Sequence, residues 1–502
     1  MFHHGGRASK VPMPVDRARK LKVCHVAATT EAAVWVFEQL RDLRDQHGYE
    51  VAAVLNGDRG SLVDRLRAEG IAVYSSDFDF TGSADLLGFP RKILKLASIF
   101  RAQRFDVVQT HLFHSMVIGR IAAWIADVPS RLSMIAGPFH LETYSARWID
   151  QWTCWMDTGI IPSCDYTRRL YLGMGVPEDR LTTIYYGPDE RKFDPSVIAP
   201  ANLRAELGFP DDTPLIGMVA LFYTQLGVNR WTPRAVQRKS VKGHEDLIRA
   251  PPIVLREFPN AKFLLVGSGW EAGGRAYMKS MQKLVADLGL QDSIIFTGFR
   301  QDVPRILRDL DVSVQPSLNE NLGGTIESLL MECPTVATRV GGLTDSVVDG
   351  VTGVLVNPAD LARGIIRLLR EPARAKALAQ AGRQRMLSQF TLRRSVDDLA
   401  RLYENADRYP GRERAGYRPL VSFYRLVAAG AVSAAIVTRY VVMDTKLLPR
   451  WDVGWRPWHA KPILLARFYA SLAWRLLRFY ASLIPRLTLR LFRKLGGTLG
   501  SK

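Results

Sequence analysis

The sequence predicts an α/β protein: two Rossmann-like, doubly wound parallel-sheet domains that face a cleft, followed by a basic, aromatic-rich helical tail. Three observations lead to this class. From Leu21 onward, short β-branched runs alternate with longer helical stretches, the pattern of parallel βαβ units. The proline- and turn-rich stretch FDPSVIAPANLRAELGFPDDTP at 193–214 interrupts that series, and a second series begins after it. Past residue 410 the charge balance changes: residues 411–502 carry 17 Lys and Arg against Glu413, Asp444 and Asp452, which accounts for 14 of the chain's net +19.

In the first series, LKVCHVAA (21–28), EVAAVLN (50–56), IAVYSS (71–76), DVVQTH (106–111), RLSMIAG (131–137), GIIPS (159–163) and TTIYYG (182–187) read as strands. In the second, the strands are PLIGMVA (214–220), KFLLVGSG (262–269), SIIFTG (293–298), DVSVQPS (311–317), TVATRV (335–340) and GVLVN (353–357). FTLRRSVDDLARLYENADRY (390–409) is expected as a helix that closes the second unit. The domains are therefore placed at 21–195 and 196–409, with the tail at 410–502. Ligands of open parallel sheets sit beyond the carboxyl ends of the strands, so a cleft lined by both halves is the expected site.

A chain of 502 residues can bury two sizeable cores, and 47% hydrophobic with 23% charged residues excludes wholesale disorder. Cys24, Cys154, Cys164 and Cys333 show no paired metal-ligand spacing and fit a reduced cytosol. The first twenty residues are basic but lack the apolar run of a signal peptide. Net charge by itself suggests a nucleic-acid partner. Outside the tail, however, the chain is nearly balanced and shows no RRM, KH or helix-turn-helix pattern, so none is expected.

The stretch PSLNENLGGTIESLL (316–330) sets Glu320 and Glu327 on either side of the turn Gly323-Gly324-Thr325, which opens a helix. Main-chain N–H groups at a helix start, approached closely over glycines, suit a diphosphate. Glu327, about one turn into the helix, is placed to accept two ribose hydroxyls, and Glu320 to face what the diphosphate carries. The alternative is a plain capping arrangement, with Asn319 as a turn residue. Lys242, in SVKGHEDLIRA (240–250), opens a helix after the first strand of the second half, where an ammonium reaches a leaving phosphate. Arg234, Arg238 and Lys239 lie just upstream.

Taken in order, these pieces resemble the retaining glycosyltransferases of GT-B fold known as group 1 or family four. The match runs from about 214 to 357 through Lys242-Gly243, VGSG (266–269), FTGFRQDVPRIL (296–307), the two glutamates, Gly341-Gly342 and DGVTGVLV (349–356). The resemblance implies a nucleoside diphosphate sugar as donor, bound without a metal or other cofactor. Glu327 would hold the ribose, Glu320 the sugar hydroxyls, and Lys242 with a nearby arginine the departing diphosphate. Gly267, Phe299, Gly323, Gly324 and Thr325 would complete the donor site. Transfer would retain anomeric configuration, with the leaving phosphate assisting attack on the same face.

Two features depart from the family pattern. Glu320 and Glu327 are seven positions apart where the family places eight. The arginine that usually follows the first strand is displaced by the insertion in MVALFYTQLGVNRWTPRAVQRKSVKG (218–243), which leaves Arg238 as its substitute.

The first half resembles the acceptor domain more loosely. QTHLFHSMVIGRIAAW (109–124) and YYGPDERKFDP (185–195) match, but the usual glycine pair after the first strand is replaced by Thr29 and Thr30 in AATTEAAVWVF (27–37). His111, His114 and His140 fall at strand ends. His140, in GPFHLE (137–142), resembles the histidine that relatives place beside the reacting sugar, where imidazole takes a proton or contacts a hydroxyl. His111 is the other candidate, and a structural hydrogen bond is the alternative for each. Asp77-Phe78-Asp79 spells the D-x-D metal motif of a different glycosyltransferase fold, but it sits in the wrong half.

In the tail, Arg425 and Arg439 leave only 13 apolar residues between them, short of a bilayer span. RFYASLAWRLL and RFYASLIPRLT repeat at an interval of 11 residues, close to three helical turns. Arg467, Arg475, Arg478, Arg486, Arg490 and Arg493 then share about half of a helix circumference, a basic face suited to anionic headgroups. Packing on protein is the alternative. The expectation is a cytoplasmic enzyme, peripheral on the cytosolic face of a membrane, that transfers sugar to a lipid-linked glycan or similar acceptor. An epimerase or phosphorylase on the same fold, a non-catalytic scaffold and a basic nucleic-acid-binding protein are the competing classes.

Overall fold

The computed structural model describes residues 20–31, 33–79, 83–228, 232–404, 425 and 428–432. The tail helices and the repeat lie outside the described residues. The first sheet comprises β1 (Lys22–Ala27), β2 (Glu50–Leu55), β3 (Ala72–Ser75), β4 (Val107–His111), β5 (Ser130–Ile135) and β6 (Gly159–Pro162), in the order β3-β2-β1-β4-β5-β6. The second comprises β7 (Leu215–Val219), β8 (Lys262–Val266), β9 (Ile294–Gly298), β10 (Val312–Gln315), β11 (Thr335–Thr338) and β12 (Val354–Val356), in the order β12-β11-β10-β7-β8-β9. Every pairing between these strands is parallel. These are the two doubly wound domains that the alternation of runs predicts.

Parallel strands covered by helices on both faces are shielded from water, and β4, β6, β10 and β11 are buried along their whole length, including polar residues such as Gln109 and Gln315. On one side of the second sheet Ile216, Phe263, Leu265 and Val312 pack with Ile365 and Leu378. On the other, Leu215, Leu264 and Ala337 pack with Leu329, Leu330 and Met386. Each such side chain contributes about 1.5–3 kcal/mol when fully buried. Strand order reverses between β1 and β4 in one sheet and between β7 and β10 in the other. These are the points where a doubly wound sheet opens a crevice for ligand.

Two expectations differ from the structure. TTIYYG at 182–187 is not a strand, and only Leu181 makes an isolated bridge, to Ile160. Its apolar side chains are satisfied elsewhere, since the Tyr185 ring packs at a tilt against Phe390, 4.4 Å between centroids, and Tyr186 packs against both domains. The helix expected to close the second domain, observed as Leu392–Glu404, packs instead on the first. Its Val396, Leu399 and Tyr403 join Val23, Val107 and Leu132 in one core. The amphipathic period was legible, but the sheet that receives its apolar face was not.

Among the described residues, no helix is long and apolar enough to cross a membrane. Beyond residue 404, Arg425 ion-pairs with Asp127 and lies over the Trp124 ring at 5.7 Å.

Candidate active site

The loops after β7 and β10 meet because the backbone forces them together. Leu318 N–H donates to the Val241 carbonyl at 2.8 Å. Gly243 sits at φ 73°, and a Cβ there would lie 1.9 Å from the Pro316 carbonyl oxygen, so only glycine fits both the left-handed turn and the contact. Lys242 is thereby delivered to Glu320, and the two form an ion pair. On the far side of Glu320, Gly341 does the same work at φ 50°, where a Cβ would meet the Glu320 carbonyl at 1.9 Å. These contacts give the Lys-Gly and Gly-Gly pairs of the sequence a physical reason.

Glu320 is held at both carboxylate oxygens: Ser317 Oγ donates to Oε2 at 3.1 Å, and the Asn321 N–H to Oε1 at 3.1 Å. Burial acts to lower the pKa of the Lys242 ammonium, but the facing Glu320 carboxylate outweighs it and the pKa is raised. The Lys242 Nζ also stands 5.9 Å from the centre of the Tyr223 ring, a favourable cation–π position. Glu327 lies in the helix Thr325–Leu330, and burial lifts its carboxyl from an ordinary 4.5 to about 7, against the pull of Lys242.

The helix beginning at Thr325 has no side-chain cap, so its first N–H groups are satisfied neither by the helix nor by a capping side chain. The Thr325 hydroxyl itself is buried, donating to the Leu322 carbonyl and lying 2.7 Å from Ser346 Oγ. Gly323 takes φ 53° beside the Glu320 side chain, and Gly324 approaches Gln315. Gly267 follows β8 and donates to the Gly298 carbonyl at 2.9 Å. Phe299, just past β9, is 65% exposed, an open ring surface. Arg238 is also exposed, at φ 60°, its backbone pairing with Leu226 and Gln225 in a loop of its own. The structure does not bring it to Lys242.

In the first domain, Thr29 lies after β1 in a turn with Glu31, which in turn holds Ser61 at the start of a helix. His111, at the end of β4, is fully buried. It touches His25 Nδ1 and Gln109 at 3.2 Å each, and Tyr403 bridges His25 and Gln109. Burial holds its imidazole at about 3, neutral at physiological pH. His111 is thus part of a polar link between the first sheet and the returning helix, and not at the cleft surface. His114 lies in the helix Phe113–Ile125.

His140 lies on the single turn Phe139–Glu142, stacked on Phe113 at 5.3 Å. Its Nε2 is 3.6 Å from Asp150, a carboxylate already fixed by the buried Arg120 at 2.7 Å. Asp77 pairs with Lys92 at 2.8 Å, so that motif is occupied by a cation of the protein itself.

Sequence reasoning missed how the halves connect. Glu142, two residues after His140, accepts from Asn319 Nδ2 at 2.5 Å and from the Tyr166 hydroxyl at 2.6 Å. Asn319 precedes Glu320, so one carboxylate ties the histidine turn to the donor-side loop. Nearby, the Asp165 N–H donates to Asp345 across the same boundary at 2.5 Å. Glu142 and Asn319 stand inside the motifs quoted above, but nothing in the sequence pairs them. Glu142→Ala is expected to lower turnover about tenfold, the scale of one lost charge-assisted hydrogen bond, with nucleotide affinity unchanged and Glu142→Gln largely retaining rate. Kinetics with a nucleotide titration check this; a matching loss of nucleotide affinity would place the contact in donor binding instead.

Comparison with known proteins follows the same division. A family model described as "Glycosyl transferases group 1" matches residues 234–371, and one described as "Glycosyl transferase 4-like domain" matches 31–187. The chain is 30% identical over 319 residues to a D-inositol 3-phosphate glycosyltransferase of Nocardiopsis dassonvillei, covering 60% of this chain and 70% of that protein. It is 29% identical over 250 residues to the GDP-mannose-dependent alpha-(1-6)-phosphatidylinositol monomannoside mannosyltransferase of Mycolicibacterium smegmatis, covering 47% and 59%. The structure of the Anabaena protein HepE in complex with UDP superposes with TM-score 0.61 at 18% identity, over 77% of this chain and all of that one.

Proposed function

The chain belongs to the group 1 glycosyltransferases of GT-B fold, and from that premise we propose that it moves a sugar from a nucleoside diphosphate sugar to a lipid-linked glycan or other membrane-held acceptor, with retention of configuration. The observation that carries the donor reading is the cluster of Lys242, Glu320 and Glu327 at the switch point of the second sheet. It offers a cation for the leaving diphosphate, a carboxylate for the sugar and a second carboxylate for the ribose. N–H groups of the turn Gly323-Gly324-Thr325 would receive phosphate oxygens. The lysine supplies the charge stabilisation that a divalent ion gives elsewhere.

On the acceptor side, His140, whose Nε2 lies 3.6 Å from Asp150, would serve as the base that takes the acceptor proton. In the retaining scheme the phosphate oxygen of the leaving group assists attack from the face it departs. Classical retention through an enzyme carboxylate nucleophile is not required.

The acceptor class rests on the tail's composition and on the named acceptor of the mycolicibacterial relative. The enzyme would then work peripherally at the cytosolic face of a membrane. A panel of UDP and GDP sugars, with diphosphate release as readout and NMR of the product anomer, tests the donor and the stereochemistry together. Product of inverted configuration would remove the retaining assignment. No release with any sugar nucleotide would remove transferase activity.

A further inference from the structure

We infer that Asn321 is a specificity-determining residue of the donor site, whose carboxamide takes a hydroxyl of the sugar being transferred. The inference rests on the donor reading above. Consecutive side chains of the loop after β10 leave it toward different partners. Asn319 Nδ2 donates to Glu142 of the first domain at 2.5 Å, and Glu320 pairs with Lys242. Asn321 follows, only 9% exposed, and its Oδ1 is buried with no hydrogen-bond partner among the described residues.

The main chain of Asn321 is fixed on both sides. Its N–H donates to Glu320 Oε1 at 3.1 Å, and a Cβ on Gly342 would lie 2.6 Å from its carbonyl oxygen, so that contact admits glycine. Across the domain boundary, a Cβ on Gly137 would lie 3.6 Å from the Asn321 Cβ. Gly137 stands just before the histidine turn Phe139–Glu142. The side chain therefore begins between the carboxylate assigned to the sugar and the turn that carries the acceptor-side histidine. Other buried atoms without partners, such as Ser313 Oγ on β10, lie inside a domain core; this one lies where the two domains meet.

A buried acceptor left unpaired raises the free energy of the unliganded protein, and a ligand that donates to it removes that cost. The chemistry of the group narrows the ligand. A carbonyl oxygen only accepts, and so do the oxygens of an ionised diphosphate, so the phosphates are not its partner. Hydroxyls both donate and accept, and they suit a carboxamide on either edge. The adjoining Glu320 is the carboxylate proposed to bind the sugar, so the same sugar brings a hydroxyl to Asn321. An acceptor already withheld from water needs no further desolvation when that bond forms. A site built in this way rejects an analogue that lacks the hydroxyl.

The test is calorimetric titration of the full chain, without acceptor, with UDP, GDP, UDP-glucose, GDP-mannose and the monodeoxy forms of both sugar nucleotides. The wild type should bind one monodeoxy form about tenfold more weakly than its parent. Asn321→Ala should bind that parent about tenfold more weakly than the wild type does, keep its affinity for the bare diphosphate, and no longer tell the monodeoxy form from the parent. A merely structural role would move all of these ligands together. Asn321→Leu, of similar size, should show the same pattern and covers the case in which alanine disturbs the loop, judged by thermal unfolding. Parent affinity equal in wild type and variants, or an equal loss for the bare diphosphate, overturns the inference. So does unchanged donor affinity with a raised KM for the acceptor, which would assign the carboxamide to an acceptor hydroxyl. Wild-type binding of neither sugar nucleotide would remove the donor reading itself, a result distinct from intact wild-type binding that the variants share.

Discussion

Lys242→Ala is expected to lower kcat about 10²–10³-fold, the scale of removing one preorganised charge from a developing anion. In the unliganded protein its ammonium pairs with Glu320, and Ser317 and the Asn321 N–H hold that carboxylate from the other side. A bound diphosphate would compete for the same cation, and departure of the leaving group would strengthen that contact. The loss should therefore fall on turnover more than on nucleotide affinity. Wild-type turnover should persist in EDTA, because the counter-charge is a side chain. Both are read from diphosphate release, with and without chelator. Abolition by EDTA and restoration by magnesium would refute the metal-free scheme, and an unchanged kcat in Lys242→Ala would remove the lysine from it. Glu320→Gln belongs to the same experiment: transfer should fall while nucleotide affinity stays, since its proposed contact is with the sugar.

The second large effect is a pH dependence of nucleotide binding centred on Glu327. Burial raises its carboxyl from 4.5 to about 7 in the unliganded protein. Ribose hydroxyls donating to it favour the ionised form, so binding releases a proton when the pH is near or below 7. Affinity for UDP or GDP should fall by up to tenfold per pH unit below about 7 and level off above it. Glu327→Gln should abolish the pH dependence and weaken binding about tenfold.

The sign for stability is the opposite. An acid whose folded pKa lies above its unfolded value favours folding when protonated, so its contribution is lost as pH rises from about 4.5 through 7. At pH 8 the glutamine variant should unfold at a higher temperature than the wild type. Calorimetric titration at two pH values, with thermal unfolding of both proteins, checks the pair of signs. A pH-independent affinity in the wild type would show that Glu327 does not hold the ribose.

Two doubly wound sheets, eleven of the twelve strand positions to within a residue or two, and the grouping of Lys242, Glu320 and Glu327 were determined by the sequence itself. The cause is local: buried parallel strands favour short runs rich in β-branched and apolar residues, and a close approach such as Gly243 on Pro316 admits only one residue type. The exception is β8, expected to run to residue 269 but ending at Val266, where Gly267 leaves the extended ladder at φ 149°. What the tertiary structure alone decided is every partnership between distant segments. TTIYYG has strand composition, yet its tyrosines are satisfied by Phe390 and the adjoining cores. Leu392–Glu404 has a clear apolar face, but its period does not say which sheet buries it. His111 and His140 look alike as strand-end histidines; one is enclosed by His25 and Gln109, and the other stands before Asp150. Glu142 meets Asn319 across 177 positions of sequence. Pattern fixes which face of an element is apolar and which turns need glycine, because those follow from neighbours a few residues away. The free energy that selects a distant partner comes from packing both surfaces at once, and it exists only when the chain has closed.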